Sequence, residues 1–206
     1  MYTLIGLGNP GNEYEHTRHN AGRMALMAFA KKQELDDWTS DKKRQSLKTE
    51  GILSAKGGSS SGGKKPHSAK ASAGKEKFVC LLPETFMNKS GNAVKGMSVK
   101  AARTLVVLHD DIDLELGRFK ISFGRGSGGH KGLESIMRMI KTKDFIRIRI
   151  GIAPRKKPPQ KQMPDFLLKK FSPKELDELK KVFKKTNEIL ATIIAEGHQK
   201  AMNQFN

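Results

Sequence analysis

Five residues near the middle of the chain, Thr104 to Leu108 (TLVVL), restrict the folds open to it more than any other stretch. The run is continuous, apolar and rich in β-branched residues. A strand with one wet face alternates; a strand apolar throughout must be covered on both faces, as at the centre of a sheet between two helical layers. The run therefore predicts a central strand, and it leads into His109-Asp110-Asp111-Ile112-Asp113 at the strand's end. Leu4-Ile5 and Lys77 to Pro83 (KFVCLLP) read as further buried strands. Arg118 to Phe123 alternates. In Phe145 to Ala153 (FIRIRIGIA) isoleucines alternate with Arg147, Arg149 and Gly151, which predicts one buried and one basic face. Ser46 to Thr49 suggests a short strand, and Gly51 to Leu53 part of another.

Helical patterns fall between these runs. Met24 to Lys32 is rich in helix formers, with lysines in its last turn, where the dipole favours them. Ser90 is read as the N-cap of a short helix carrying Ala93, Val94 and Met97. Leu133, Ile136, Met137 and Ile140 share a helical face. Ser172-Pro173-Lys174-Glu175 is a capping box, and the helix it opens stops at Gly197. Interleaved strands and helices define an α/β protein: a three-layer sandwich with a twisted, mixed, largely parallel sheet flanked by helices. A length of 206 residues suits one domain over 1–206. Residues 55–76 are low-complexity Gly, Ser, Ala and Lys and read as a mobile loop; residues 154–164 read as a second loop.

The chemistry concentrates in residues 4–22, LIGLGNPGNEYEHTRHNAG. Gly6, Gly8 and Gly11 with Pro10 are expected to force a sharp turn, since Gly takes positive φ freely and Pro fixes its own. Polar side chains on a tight turn at a strand's mouth are how α/β proteins build sites, which makes His19 the expected reactive group. The turn matches G-x-G-x-x-G, the dinucleotide-binding pattern, but that turn should open directly into a helix. Here the helix starts only near Asn20, and Pro10 stiffens the turn. His16 and His19 stand three apart, yet no second ligand pair and only one cysteine accompany them, so no metal or other cofactor is expected.

Net charge is +18, an excess that attracts polyanions, above all nucleic acid. The lone Cys80 excludes an internal disulfide, which agrees with a reducing cytoplasm, and it reads as core. No signal-peptide pattern and no run near the length of a membrane span is present.

Together GLGNPGNEYEHTRHNAG, PETFMNKSGNAV, VLHDDIDLELG, GRGSGGHKGL and FIRIRIGIAP resemble the bacterial-type peptidyl-tRNA hydrolases in order and spacing over nearly the whole chain. The exception is 55–76, which resembles an insertion in a β-hairpin loop. The resemblance implies a cytoplasmic, monomeric, metal-independent esterase that cleaves peptide from tRNA without a cofactor. By that resemblance His19 is the general base and Asp110 holds it; Asn9 and Asn88 position substrate and stabilise charge. Tyr14, Phe86 and Met87 line the cleft, and His130 binds substrate. Lys131 stands where the family has an asparagine that positions the peptide; lysine donates hydrogen bonds but cannot accept them. Arg149 matches a tRNA phosphate contact, and Arg147 follows if the alternation holds. Lys120 lies in the strand carrying another such contact, with Ser122 at its expected place and Arg125 able to compensate. A non-catalytic RNA-binding protein on the same fold is the alternative, and retention of Asn9, His19, Asn88 and Asp110 together favours the enzyme.

Overall fold

The structure, a computed structural model, describes residues 1–54, 75–154 and 157–206. In chain order its elements are β1 (Tyr2–Gly6), α1 (Ala21–Lys32), β2 (Thr39–Asp41), β3 (Ser46–Ser54), β4 (Lys75–Pro83), α2 (Val99–Ala102) and β5 (Leu105–Glu115). There follow β6 (Phe119–Phe123), α3 (Lys131–Ile140), β7 (Ile146–Ala153), α4 (Met163–Leu168), α5 (Pro173–Glu196) and α6 (His198–Phe205). Short 3-10 turns occupy Asn12–Tyr14, Arg18–Asn20, Met87–Val94 and Gln160–Gln162.

The strands form one sheet in the order β2-β3-β4-β1-β5-β7-β6. The inner four, β4, β1, β5 and β7, run parallel. The flanking strands β2, β3 and β6 join antiparallel. β5 lies inside, as its composition predicts. Val106 and Leu108 pack towards α1 and α5; Leu105 and Val107 pack towards α3 and the turn at Met87–Val94. Both faces are thus dry, and each fully buried Leu, Ile or Phe contributes about 1.5–3 kcal/mol. The capping box forms as read: Ser172 Oγ accepts from the Glu175 amide, and Glu175 Oε2 accepts from the Ser172 amide. Cys80 is core, and burial pushes its thiol up to about 12. Among the described residues no helix is long and apolar enough to cross a membrane.

Several elements differ from the sequence reading. β3 is one strand rather than two, because its ladder with β4 continues unbroken through Gly51. Ser90 sits inside a 3-10 turn, its hydroxyl donating to the Met87 carbonyl, and caps nothing. α4 and α6 carry too short a periodicity to stand out in sequence. The segment 55–74 lies outside the described residues; Lys75 and Glu76 belong to β4. β5 does not end at Leu108 but pairs on with β7 through His109↔Arg149 and Asp110↔Ile150. The acidic cluster therefore lies within the strand rather than at its end, and its side chains alternate in direction. The basic face of β7 is only half solvated: Arg149 opens onto a cavity, but Arg147 is 2% exposed, covered by the loop before α3.

The opening turn works differently from its expectation. Only Gly11 of its glycines has positive φ, at 105°. Gly6 serves close approach instead: a Cβ there would lie 2.8 Å from the Gly22 carbonyl oxygen and from Leu26 Cβ. A Cβ on Gly22 would run into the Leu108 carbonyl. Two glycines facing each other let the start of α1 rest on β1 and β5. That contact carries the residues just before α1 to the polar end of β5.

Candidate active site

His19 sits in the turn Arg18–Asn20 immediately before α1, and Asp110 sits on β5. Ninety-one residues apart in sequence, they meet: His19 Nδ1 lies 3.0 Å from both carboxylate oxygens of Asp110. A second imidazole joins them. His130 Nε2 lies 2.9 Å from Asp110 Oδ1.

Hydrogen bonding settles the tautomers. His130 caps α3, its Nδ1 accepting from the Gly132 and Leu133 amides at 3.1 and 3.4 Å. An accepting Nδ1 bears no proton, so the proton is on Nε2 and is donated to Asp110. His19 likewise donates Nδ1–H to the carboxylate, which leaves its Nε2 lone pair free. The beside-lying His109 donates Nδ1–H to the Asp110 carbonyl at 2.7 Å. Burial, with His130 adding, pushes His109 down to about 3, so it stays neutral.

Charge follows from this arrangement. Asp110 is 3% exposed, and burial alone would raise its pKa. His19 and His130 outweigh burial and hold the carboxyl well below the usual carboxylate range. For His19, burial lowers the pKa, but the Asp110 charge and hydrogen bond win and raise it. A base held by a buried carboxylate, with its outer nitrogen open, can take a proton from water and later return it.

The same three side chains bring ligand atoms within 4.8 Å of one another, a set to test as a metal site. It does not fit. His130 Nε2 can ligate only by losing its proton, and the α3 amides already occupy the other ring nitrogen, so ligation would demand an imidazolate or the loss of both cap hydrogen bonds.

Asn9 is oriented with equal definition. Asn20 grips its backbone at two points: Asn9 N–H donates to Asn20 Oδ1 at 2.8 Å, and Asn20 Nδ2 donates to the Asn9 carbonyl at 3.0 Å. Asn9 Oδ1 accepts from the Met87 amide at 2.8 Å. The Asn9 NH₂ is then left as a donor. Asn88 is exposed next to Met87. Tyr14 and Phe86 meet edge to face, centroids 6.2 Å apart, with Phe86 largely exposed. Met87 does not line an open cleft; it is buried, its sulfur against Gly132, joining the Met87–Val94 turn to α3.

A cavity of about 620 Å³ opens beside His19 and Asp110 and carries cationic walls: Lys120, Arg125 and Arg149. Arg149 pairs through Nε with Asp111 Oδ2 at 2.6 Å. Lys120 is its cross-strand neighbour. Arg147 does not share this exposure. Its guanidinium donates to the Gly126 and Arg125 carbonyls and covers the Phe145 ring, so it holds the loop before α3 rather than presenting charge. Lys131 reaches outward to Glu134 at 3.1 Å. Sequence reasoning placed His130 on the substrate rather than on Asp110, and gave Arg18, Asn20 and His109 no role. Their signal was adjacency to His19 and Asp110, which does not say which partner each would find.

Fold and site together describe an α/β protein that holds an imidazole on a buried carboxylate beside a basic cavity, groups suited to hydrolysis. A model of the family described as peptidyl-tRNA hydrolase matches residues 3–206. A peptidyl-tRNA hydrolase of Finegoldia magna is 35% identical over 209 residues, spanning 100% of this chain and 97% of the relative. One of Clostridium tetani is 34% identical over 209 residues, with 100% and 97% covered. The crystal structure of peptidyl-tRNA hydrolase from Acinetobacter baumannii superposes with a TM-score of 0.78 at 27% identity, covering 100% of this chain and 94% of that one. The chain belongs to the peptidyl-tRNA hydrolase family.

Proposed function

We propose that this chain hydrolyses the ester joining a peptide to the terminal ribose of tRNA, with His19 as general base and Asp110 as its holder. The observation carrying the proposal is the free Nε2 of His19, left open because Nδ1–H is spent on Asp110. His19 Nε2 takes a proton from water as the water oxygen attacks the ester carbonyl. Negative charge gathers on the carbonyl oxygen, where the Asn9 NH₂, and Asn88 beside it, donate. Collapse breaks the bond to the ribose oxygen, which takes the proton back from His19. Water and these side chains complete the reaction, without a cofactor. His130 donates to the second side of Asp110 and keeps it ionised.

Affinity is assigned to the tRNA backbone through Arg149, Lys120 and Arg125, while Tyr14 and Phe86 offer an undiscriminating apolar contact for the peptide. We place the protein in the cytoplasm, where its substrate is, as a monomer. Supporting the monomer, one sheet edge is the three-residue β2 and the other, β6, is covered at Ile121 by the side-chain amide of Asn206.

The test is hydrolysis of an N-blocked aminoacyl-tRNA by wild type and His19→Ala, with chelator present. Loss of about 10²–10⁴-fold in turnover with tRNA binding retained supports the reading. Equal turnover removes His19 from the mechanism, and no turnover in either protein with binding intact points to RNA binding alone.

A further inference from the structure

We propose that Arg18 is a positioning residue: it clamps residues 163–171, which wall the cavity, onto the turn that carries His19, so that base and wall keep one geometry. This rests on the general-base reading of His19.

Arg18 is 5% exposed, although it neighbours a reactive group and carries a full charge. Its partners lie in α4 and in the residues that follow it. Nη1 donates to the Lys169 and Lys170 carbonyls at 3.1 and 2.8 Å. Nη2 pairs with Glu175 Oε1 at 2.6 Å. The guanidinium carbon stands 4.7 Å from the Phe166 ring centre and 5.0 Å from that of Phe171. The backbone follows the same seam: Arg18 N–H donates to Lys169 O, and Phe171 N–H to His16 O. Thr17 bridges Lys170. On the other side of this segment, Met163 and Leu167 line the cavity that His19 also lines.

Only a planar fork can serve two carbonyls, a carboxylate and two ring faces at once; lysine would keep the charge but not the geometry. The carbonyls it serves belong to the extended residues that follow the end of α4. Arg18 thus satisfies the end of one wall with the residue that precedes the base. Rotation or slip of the turn would be felt at once at the 3.0 Å contact of His19 with Asp110. The groups facing His19 are Asp110 from β5 and His130 from the loop before α3, with His109 of β5 against the far ring of His130; the group facing Arg18 is Glu175 of α5. A loosened His19–Asp110 contact weakens what favours protonated His19, so the midpoint of the acid limb falls.

The experiment compares wild type, Arg18→Lys and Phe166→Leu in single-turnover hydrolysis of N-blocked aminoacyl-tRNA across pH, with rates normalised to folded protein by thermal unfolding. A sub-ångström displacement of the base should lower kcat by about tenfold in Arg18→Lys, with KM changed less. The acid-limb midpoint should move down, and Phe166→Leu should move both in the same direction by less. A purely structural role lowers the folded fraction and leaves the midpoint alone. Unchanged kcat per folded molecule and an unchanged midpoint, in Arg18→Lys or, if that variant does not fold, in Phe166→Leu, overturn the proposal. Undiminished turnover by His19→Ala overturns it together with the general-base reading, whereas His19 dependence with an unaltered Arg18→Lys profile overturns it alone.

Discussion

Replacing Asp110 by Asn tests the tautomer argument at its centre. The change is isosteric and buried, so packing barely alters, but one carboxylate oxygen becomes an NH₂. His130 cannot adapt: its Nδ1 accepts from two α3 amides, so its Nε2–H must still find an oxygen. The Asn oxygen is thereby drawn to the Oδ1 position, where His130 already donates, and the NH₂ takes the Oδ2 position; Nδ1 of His19 is 3.0 Å from both, so an Nδ1–H would be left a shared oxygen and an opposing donor. Two donors cannot face each other. His19 moves its proton to Nε2, and the base loses the lone pair that should accept from water. The expected loss in kcat is about 10³–10⁴-fold, the upper range for a general base deprived of its holder. That corresponds to about 4–5.5 kcal/mol of transition-state stabilisation. KM should change little, because Asp110 is buried away from the substrate. The pH dependence adds a sign. In the wild type Asp110 raises the His19 pKa, so kcat/KM should climb with pH through a midpoint above the ordinary histidine value of about 6.5. In Asp110→Asn the residual activity should show a midpoint shifted down. The assay is single-turnover release of N-blocked amino acid from tRNA between pH 5 and 9. Turnover within about threefold of wild type would refute the reasoning.

Asn9→Asp keeps the oxygen that accepts from Met87 but loses the NH₂, so kcat should fall about 10²–10³-fold while the melting temperature holds; parallel kinetics and calorimetry check this. Arg149→Gln should weaken tRNA binding and flatten the slope of log affinity against log salt by about one; an unchanged slope in a salt titration removes Arg149 from the phosphate contact. Gly22→Ala forces a methyl into the Leu108 carbonyl and should cost about 1–3 kcal/mol, read as a lowered thermal midpoint; a wild-type midpoint would show that α1 does not need this close approach.

Much of this was legible before the structure. The TLVVL run marked the central strand because a continuous apolar strand has no wet face to offer. The capping box marked the start of α5 because its two hydrogen bonds involve residues three apart. His19 and Asp110 could be named through the family resemblance carried by motifs quoted residue by residue. What could not be read were matters of partner and direction. FIRIRIGIA alternates as a half-exposed strand should, yet Arg147 is buried, because the loop before α3 folds over it and supplies two carbonyls. The glycines of GLGNPG read as turn formers, but Gly6 is there for its missing Cβ, a need created by α1, which begins fifteen residues later.

By itself, the sequence determined the α/β class, the central strand, the principal helices, the basic character of the protein and the types of side chain available for ester hydrolysis. These are local properties: periodicity, capping and composition act within a few residues. Only the tertiary structure decided that His130 joins His19 on Asp110, that Asn20 grips Asn9, and that Arg18 ties α4 to the turn before α1. Each contact spans separate elements, and its geometry depends on how closely two backbones approach. For His19 and Asp110 that approach is set where Gly22 lies against Leu108, a constraint no single stretch of the chain contains.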